Sequence, residues 1–237
     1  MHFKPHDDSI VTMIRDWFNL FIRYKFRAFL HSSNYNIVLK APYKELELKD
    51  RWRRKHQYRM EILDENTIGK LNKLVYPWRR KEFKEYLSND SVCFVGIYRN
   101  RIVSYGWTSV GRVDPHVQDL YGMVIPMGEK DVWNVDIVVD PEYRGRGAEF
   151  YGMAYGSEYW ISQGMENVWS AVNIRDRGSM KIHYRLGYRP VYMHIMKKYL
   201  GIMKTKLIPV NEETLPELKE ITKGKNIDFI WKNGEQG

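Results

Sequence analysis

DVWNVDIVVDPEYRGRG, running from Asp131 to Gly147, has the make-up of a strand, a turn and the head of a helix. Val135, Ile137, Val138 and Val139 are β-branched, which suits a buried strand. Pro141 ends it, because a residue without an N–H cannot extend a central ladder. Arg144-Gly145-Arg146-Gly147 follows, and Ala148 to Gln163 carries the pattern of one helix. Glycines at a helix start leave the first-turn amides free and converging, with the positive end of the dipole behind them. The arginines add full charges. Such a construction takes a phosphate-bearing ligand.

Other phosphate loops are built differently. A P-loop continues with Lys-Ser/Thr after its last glycine, and Ala148-Glu149 stand here instead. A dinucleotide fingerprint needs a third glycine at fixed spacing, and it is missing. Downstream, Asn167 to Val172 reads as a strand, Asn173 to Asp176 as a loop, and Arg177 to Leu186 as a helix that closes on Leu186-Gly187-Tyr188. An Arg/Gln-x-x-Gly-x-Gly/Ala loop after a strand ending V-x-P-E-Y, then a strand ending Val-x-x-x-Asn and a helix closing x-x-Leu-Gly-aromatic, resembles the GNAT superfamily of N-acyltransferases. The likeness runs from about Tyr58 to Tyr199.

The resemblance implies an α/β fold with a mixed, mostly antiparallel central sheet flanked by helices. It implies a coenzyme A-dependent N-acyltransferase that moves an acetyl group from acetyl-CoA directly to a primary amine of a small molecule or peptide. In that family, backbone amides of the strand before the loop, here Ile137, Val138 and Val139, meet the pantetheine arm and the acyl oxygen. Arg144, Gly145, Arg146, Gly147, Ala148 and Glu149 then form the pyrophosphate loop, and Asn173, Asp176 and Ser179 of the later motif complete the cofactor site. Glu149 occupies the loop's last Gly/Ala position, and Asp176 stands where an asparagine is usual.

Asp136 is the first candidate for the general base. A carboxylate inside a β-branched run is expensive to bury without a purpose, and polyamine-acetylating relatives carry one at this place. Asp131, at the strand's start, matches a glutamate of other relatives and is the second. For the acid, His183 stands where the family commonly has a tyrosine, with Tyr184 next to it. Histidine titrates near neutrality and suits the task.

The remaining chain bounds these expectations. Its 237 residues suit one domain with extensions. We divide it into an N-terminal amphipathic helix and basic linker (1–57), an acyltransferase domain (58–200) and a C-terminal extension (201–237). Strands are expected at Tyr58–Leu63, Ser91–Arg99 and Ile102–Val110, a loop over Gly111–Gly128, and a last strand at Leu207–Val210. The lone Cys93 excludes an internal disulfide and a thiolate–metal site, fits a buried filler and points to the cytoplasm. No metal and no signal peptide are expected.

Ile10 to Leu30 places apolar and aromatic residues at helical spacing, but Arg15, Asp16, Arg23, Lys25 and Arg27 interrupt it, so it does not span a bilayer. It suits peripheral contact with a membrane, or packing on its own domain or in a homodimer. The net charge of +9, with basic runs at Arg51–His56 and Trp78–Lys81, favours acidic partners. No reader motif accompanies these runs, and nucleic acid is not expected. The competing expectation is a non-catalytic adaptor that uses the basic aromatic helix on a membrane or a protein.

Overall fold

The computed structural model describes residues 31–46, 58–64, 69, 71, 74–75, 80–88, 91–225 and 227–231. The Ile10–Leu30 stripe and the Arg51–His56 run lie outside them. The described strands are β1 (His31–Pro42), β2 (Arg59–Ile62), β3 (Val92–Tyr98), β4 (Arg101–Val110), β5 (Asp131–Val139), β6 (Asn167–Asn173), β7 (Arg189–Tyr199) and β8 (Ile202–Pro209). They form one eight-stranded sheet in the order β2-β3-β4-β5-β6-β1-β7-β8. Only the β5–β6 pairing is parallel. The described α-helices are α1 (Arg80–Ser88), α2 (Pro115–Tyr121), α3 (Ala148–Ser162), α4 (Arg177–Arg185) and α5 (Leu215–Thr222). The expected mixed, mostly antiparallel α/β architecture is present.

Alternation along β1 shows how the core is divided. Ile37, Leu39 and Ala41 face a cluster with Trp160, Met180, Leu186 and Tyr188, while Val38 faces Trp133, Trp169 and Met123 on the other side. A strand apolar on both faces belongs in a sheet covered on both faces. Phe83 and Tyr86 of α1 close a third cluster over Trp107. α3 approaches the sheet closely at Gly156, where an added Cβ would stand 3.3 Å from the Phe94 ring. Gly152 has only Met60 within reach, at 3.8 Å, so one of the helix's glycines serves close packing.

The domain boundaries read from the sequence need correction. β1 lies within the supposed linker, yet it is inserted between β6 and β7 in the middle of the sheet. Its first half, His31 to Asn36, is rich in Ser and Asn and lacks a strand signature; pairing with β7 along this half, joined by β6 from Asn36 onward, overrides propensity. The supposed C-terminal extension is also part of the domain. β8 starts at Ile202 rather than Leu207 and pairs along β7, while Leu218, Ile227, Ile230 and Trp231 are buried in the main core. Within Gly111–Gly128, read as loop, Pro115–Tyr121 is helical. Cys93 is buried and free, as expected.

Candidate active site

The loop after β5 is held from several sides. Asp140 accepts from the Glu142 amide and from Arg101 Nη2, the latter at 2.7 Å. Arg144 Nε donates back to Val139 O at 3.2 Å, and the Arg146 guanidinium lies 5.6 Å from the centre of the Tyr143 ring. Gly147 is the N-cap of α3 at φ +89°, a conformation for which glycine is the default. It offers no side-chain cap to the first-turn amides. The helix head is therefore a set of donors beside two guanidiniums.

Behind this loop the sheet opens. β5 pairs with β6 only from Asp131 to Asn134, opposite Asn167 to Ser170. Beyond Asn134, β6 stays with β1 and β5 stays with β4, so the two strands part. The opening coincides with a bulge: Val135 pairs with Trp107 and Val138 with Tyr105, leaving Asp136 and Ile137 opposite Gly106 alone. Asp136 takes φ +56°, in the left-handed region. A bulge re-aims a side chain that strict alternation would place elsewhere.

Antiparallel alternation also tells which amides are free. Asp140 N donates to Val103 O at 2.8 Å, so the amide and carbonyl of Val139 point away from β4 into the gap. The same alternation turns Val138 toward β4 and takes its amide out of the gap.

A cavity of about 340 Å³ lies in the opening and brings together Asp136, Ile137, Asn173, Ser179 and His183. Asn34 and Asn36 of β1, Asn134, Tyr121 and Trp133 complete its polar and aromatic wall. Tyr105 Oη donates to Asp136 Oδ2 at 3.3 Å. His183 is 5% exposed, and its Nδ1 stands 2.9 Å from Ser179 O. A carbonyl can only accept, so Nδ1 carries the proton and Nε2 presents a lone pair. That Nε2 is buried without a hydrogen-bond partner among the described residues. Burial pushes the imidazole below its usual range, against the opposing pull of the Ser179 carbonyl and Asp176. The ring is therefore a neutral acceptor near pH 7, and the proton-donor role expected from the sequence does not fit it.

On the helix side of the sheet a narrower cavity, about 40 Å³, is lined by Ser104, Gly106, Gly152, Trp160 and Glu149. Asn134 and Ile137 line both cavities, which thus meet at the parting of β5 and β6. Glu149 turns into this narrower space, and its Oε2 is buried with no hydrogen-bond partner among the described residues. Uncapped donors at the helix head and an orphan acceptor behind it fit a diphosphate carrying an amide-bearing arm.

Three candidates stand elsewhere. Asp131 is buried at the far end of β5, where it accepts from Gly128 N and Asn167 Nδ2, both at 2.8 Å. Its carboxylate anchors a turn and lies away from the cavity. Tyr184 is half-buried and packs against the edge of the main core, edge-on to Phe229 and under the Arg189 guanidinium. Asp176 caps α4, accepting from Ser179 N at 2.9 Å, while Asn173 engages Asn34, Asn36 and Arg175 N. Sequence reasoning missed the β1 asparagines, because that strand was not recognised. It also missed a run of tyrosine rings beside the loop, formed by Tyr58, Tyr98, Tyr143 and Tyr151. These residues come from four separate elements, and no local pattern unites them.

A model of the acetyltransferase (GNAT) family matches residues 49–188, and the chain belongs to that family, which uses acetyl-CoA. A search of curated proteins returned no match. Among solved structures, a functionally unknown conserved protein from Staphylococcus epidermidis ATCC 12228 superposes with a TM-score of 0.52 at 14% identity, covering 75% of this chain and 66% of that one. The glucosamine N-acetyltransferase region of a fungal multi-domain GH3 β-N-acetylglucosaminidase gives 0.55 at 13% identity, over 81% of this chain and 23% of that one. The aminoglycoside acetyltransferase AAC(6')-Iy, solved with a bisubstrate analogue, gives 0.44 at 18%, over 56% and 90%. At such identities the likeness is one of fold. The chain spans less than two thirds of the first two proteins' length. Among the described residues no helix is long and apolar enough to cross a membrane, and no group of side chains is placed to hold a metal ion.

Proposed function

We propose that the protein is an N-acetyltransferase that acts on a small primary amine. The observation that carries this reading is the parting of β5 from β6 after Asn134, with an uncapped helix head at its mouth and the Asp136–His183 cavity beside it. Acetyl-CoA, when bound, supplies a thioester carbonyl open to attack and a diphosphate by which it is held. Arg144, Arg146 and the amides at the head of α3 hold the diphosphate. The Val139 amide donates toward the acyl oxygen, where charge grows during transfer. Glu149 Oε2 accepts from an amide N–H of the arm, and the tyrosine rings beside the loop offer faces to the adenine.

On the acceptor side, the nitrogen must arrive with a free lone pair and shed a proton as it bonds. Asp136 takes that proton. His183 Nε2 accepts from the amine and orients it, and solvent at the cavity mouth returns a proton to the departing thiolate. Asp136 is the one carboxylate among the lining residues, and four asparagines accompany it. That lining suits a single amine on a neutral polar body better than a polycation.

The test is release of free thiol from acetyl-CoA across a panel of hydroxylated monoamines and polyamines. Turnover is expected with the former, and Asp136→Asn should lower it about a hundredfold or more at unchanged acetyl-CoA affinity. Full turnover in that variant would remove Asp136 from the mechanism.

A further inference from the structure

The tip of the β7–β8 hairpin is not built as an ordinary solvent-facing turn. Tyr199, Leu200 and Ile202 are 62%, 47% and 66% exposed, with Met203 exposed beside them. Leu200 and Gly201 form the two-residue turn, with φ of +47° and +79°. Such turns favour Asn-Gly or Gly-Gly, because the left-handed region disfavours a bulky side chain. A leucine nevertheless holds the apex and is turned outward, so neither packing nor turn chemistry accounts for it. Lys197, Lys198 and Lys204 flank the tip, Lys206 lies farther along β8 beside Glu217, and no acidic residue occurs between Arg189 and Asn211. Lys197 and Lys204 are cross-strand partners, and with Lys206, Tyr35 and Glu217 they line a groove of about 390 Å³.

We infer that this hairpin tip docks on an anionic phospholipid surface, its apolar apex entering the interface and its lysines meeting headgroup phosphates. Charge complementarity and the apex together select this partner. A second copy pairing along β8 would set lysine against lysine, and Pro209 also guards that edge. A nucleic acid would use the lysines and leave the leucine without a role. Leu120 and Val124 are exposed on either side of Gly122, which abuts Met203 and Thr205, and they extend the apolar area.

The test is co-sedimentation of the full chain with phosphatidylcholine vesicles, with and without phosphatidylserine. Two double variants accompany it, each checked for an unchanged melting curve: Leu200→Asn with Ile202→Thr, and Lys197→Gln with Lys204→Gln. The asparagine suits the turn, so the first pair removes the apolar apex without opposing the backbone. Wild type should pellet only with the anionic vesicles, and each pair should weaken binding about tenfold or more. Wild type that stays in the supernatant would overturn the proposal. So would undiminished binding by either pair, the apolar pair's result then assigning the contact to charge or to residues 10–30 alone.

Discussion

At Asp136 a single backbone angle does what the residue's identity cannot. Its φ of +56° and the two-against-one bulge opposite Gly106 aim the carboxylate at the cavity, where Tyr105 Oη reaches it. A carboxylate amid β-branched residues was visible in the sequence as an anomaly. The bulge was not, because it depends on Gly106 in another strand. His183 and Tyr184 show the converse limit. Neighbours on a helix point roughly 100° apart, so only one of them faces the cavity; the other packs half-buried against the edge of the core. The lowered His183 pKa also carries a stability prediction. The unfolded chain takes up this proton near pH 6.5, the folded one only at lower pH, so stability should fall as pH drops through and below about 6.5. His183→Asn should flatten part of the melting temperature's decline over that window, and His194, shifted downward by burial too, should retain the rest. An identical pH profile in the variant would show that His183 is not the group titrating.

Among elements, the β5–loop–α3 unit was the most legible, since each of its signals is local: β-branched run, proline, glycines, helix. The second motif was legible as an element but not in its roles. Asp176 occupies the position of a motif residue and serves α4 as its N-cap. Asp176→Ala should therefore cost about 0.5–2 kcal/mol of stability in denaturant unfolding. Acetyl-CoA affinity should be unchanged, and a large loss of it in a folded variant would return Asp176 to the cofactor site. β1 was illegible for the opposite reason. Half of it is polar, and that half owes its strand character to β7, with β6 joining only from Asn36 onward.

For the molecule as a whole, β1 makes His31–Pro42 inseparable from the rest of the sheet. Removing residues 1–46 would leave β6 and β7 without the strand between them, and such a protein should lack a cooperative melt by circular dichroism. A stable, cooperative fold after that deletion would contradict the sheet order. The same architecture brings the helix head and the parted strands beside the Asp136–His183 cavity, so in the proposed reaction grip on the diphosphate and position of the thioester are a single property. Calorimetric titration of acetyl-CoA into wild type and into the double variant Arg144→Ala, Arg146→Ala measures that property most directly. Each charge-assisted hydrogen bond is worth about 1.5–3 kcal/mol, so the wild type should bind and the variant about a hundredfold or more weaker. Equal affinity in the two proteins, or no heat of binding from the wild type at millimolar ligand, would contradict it.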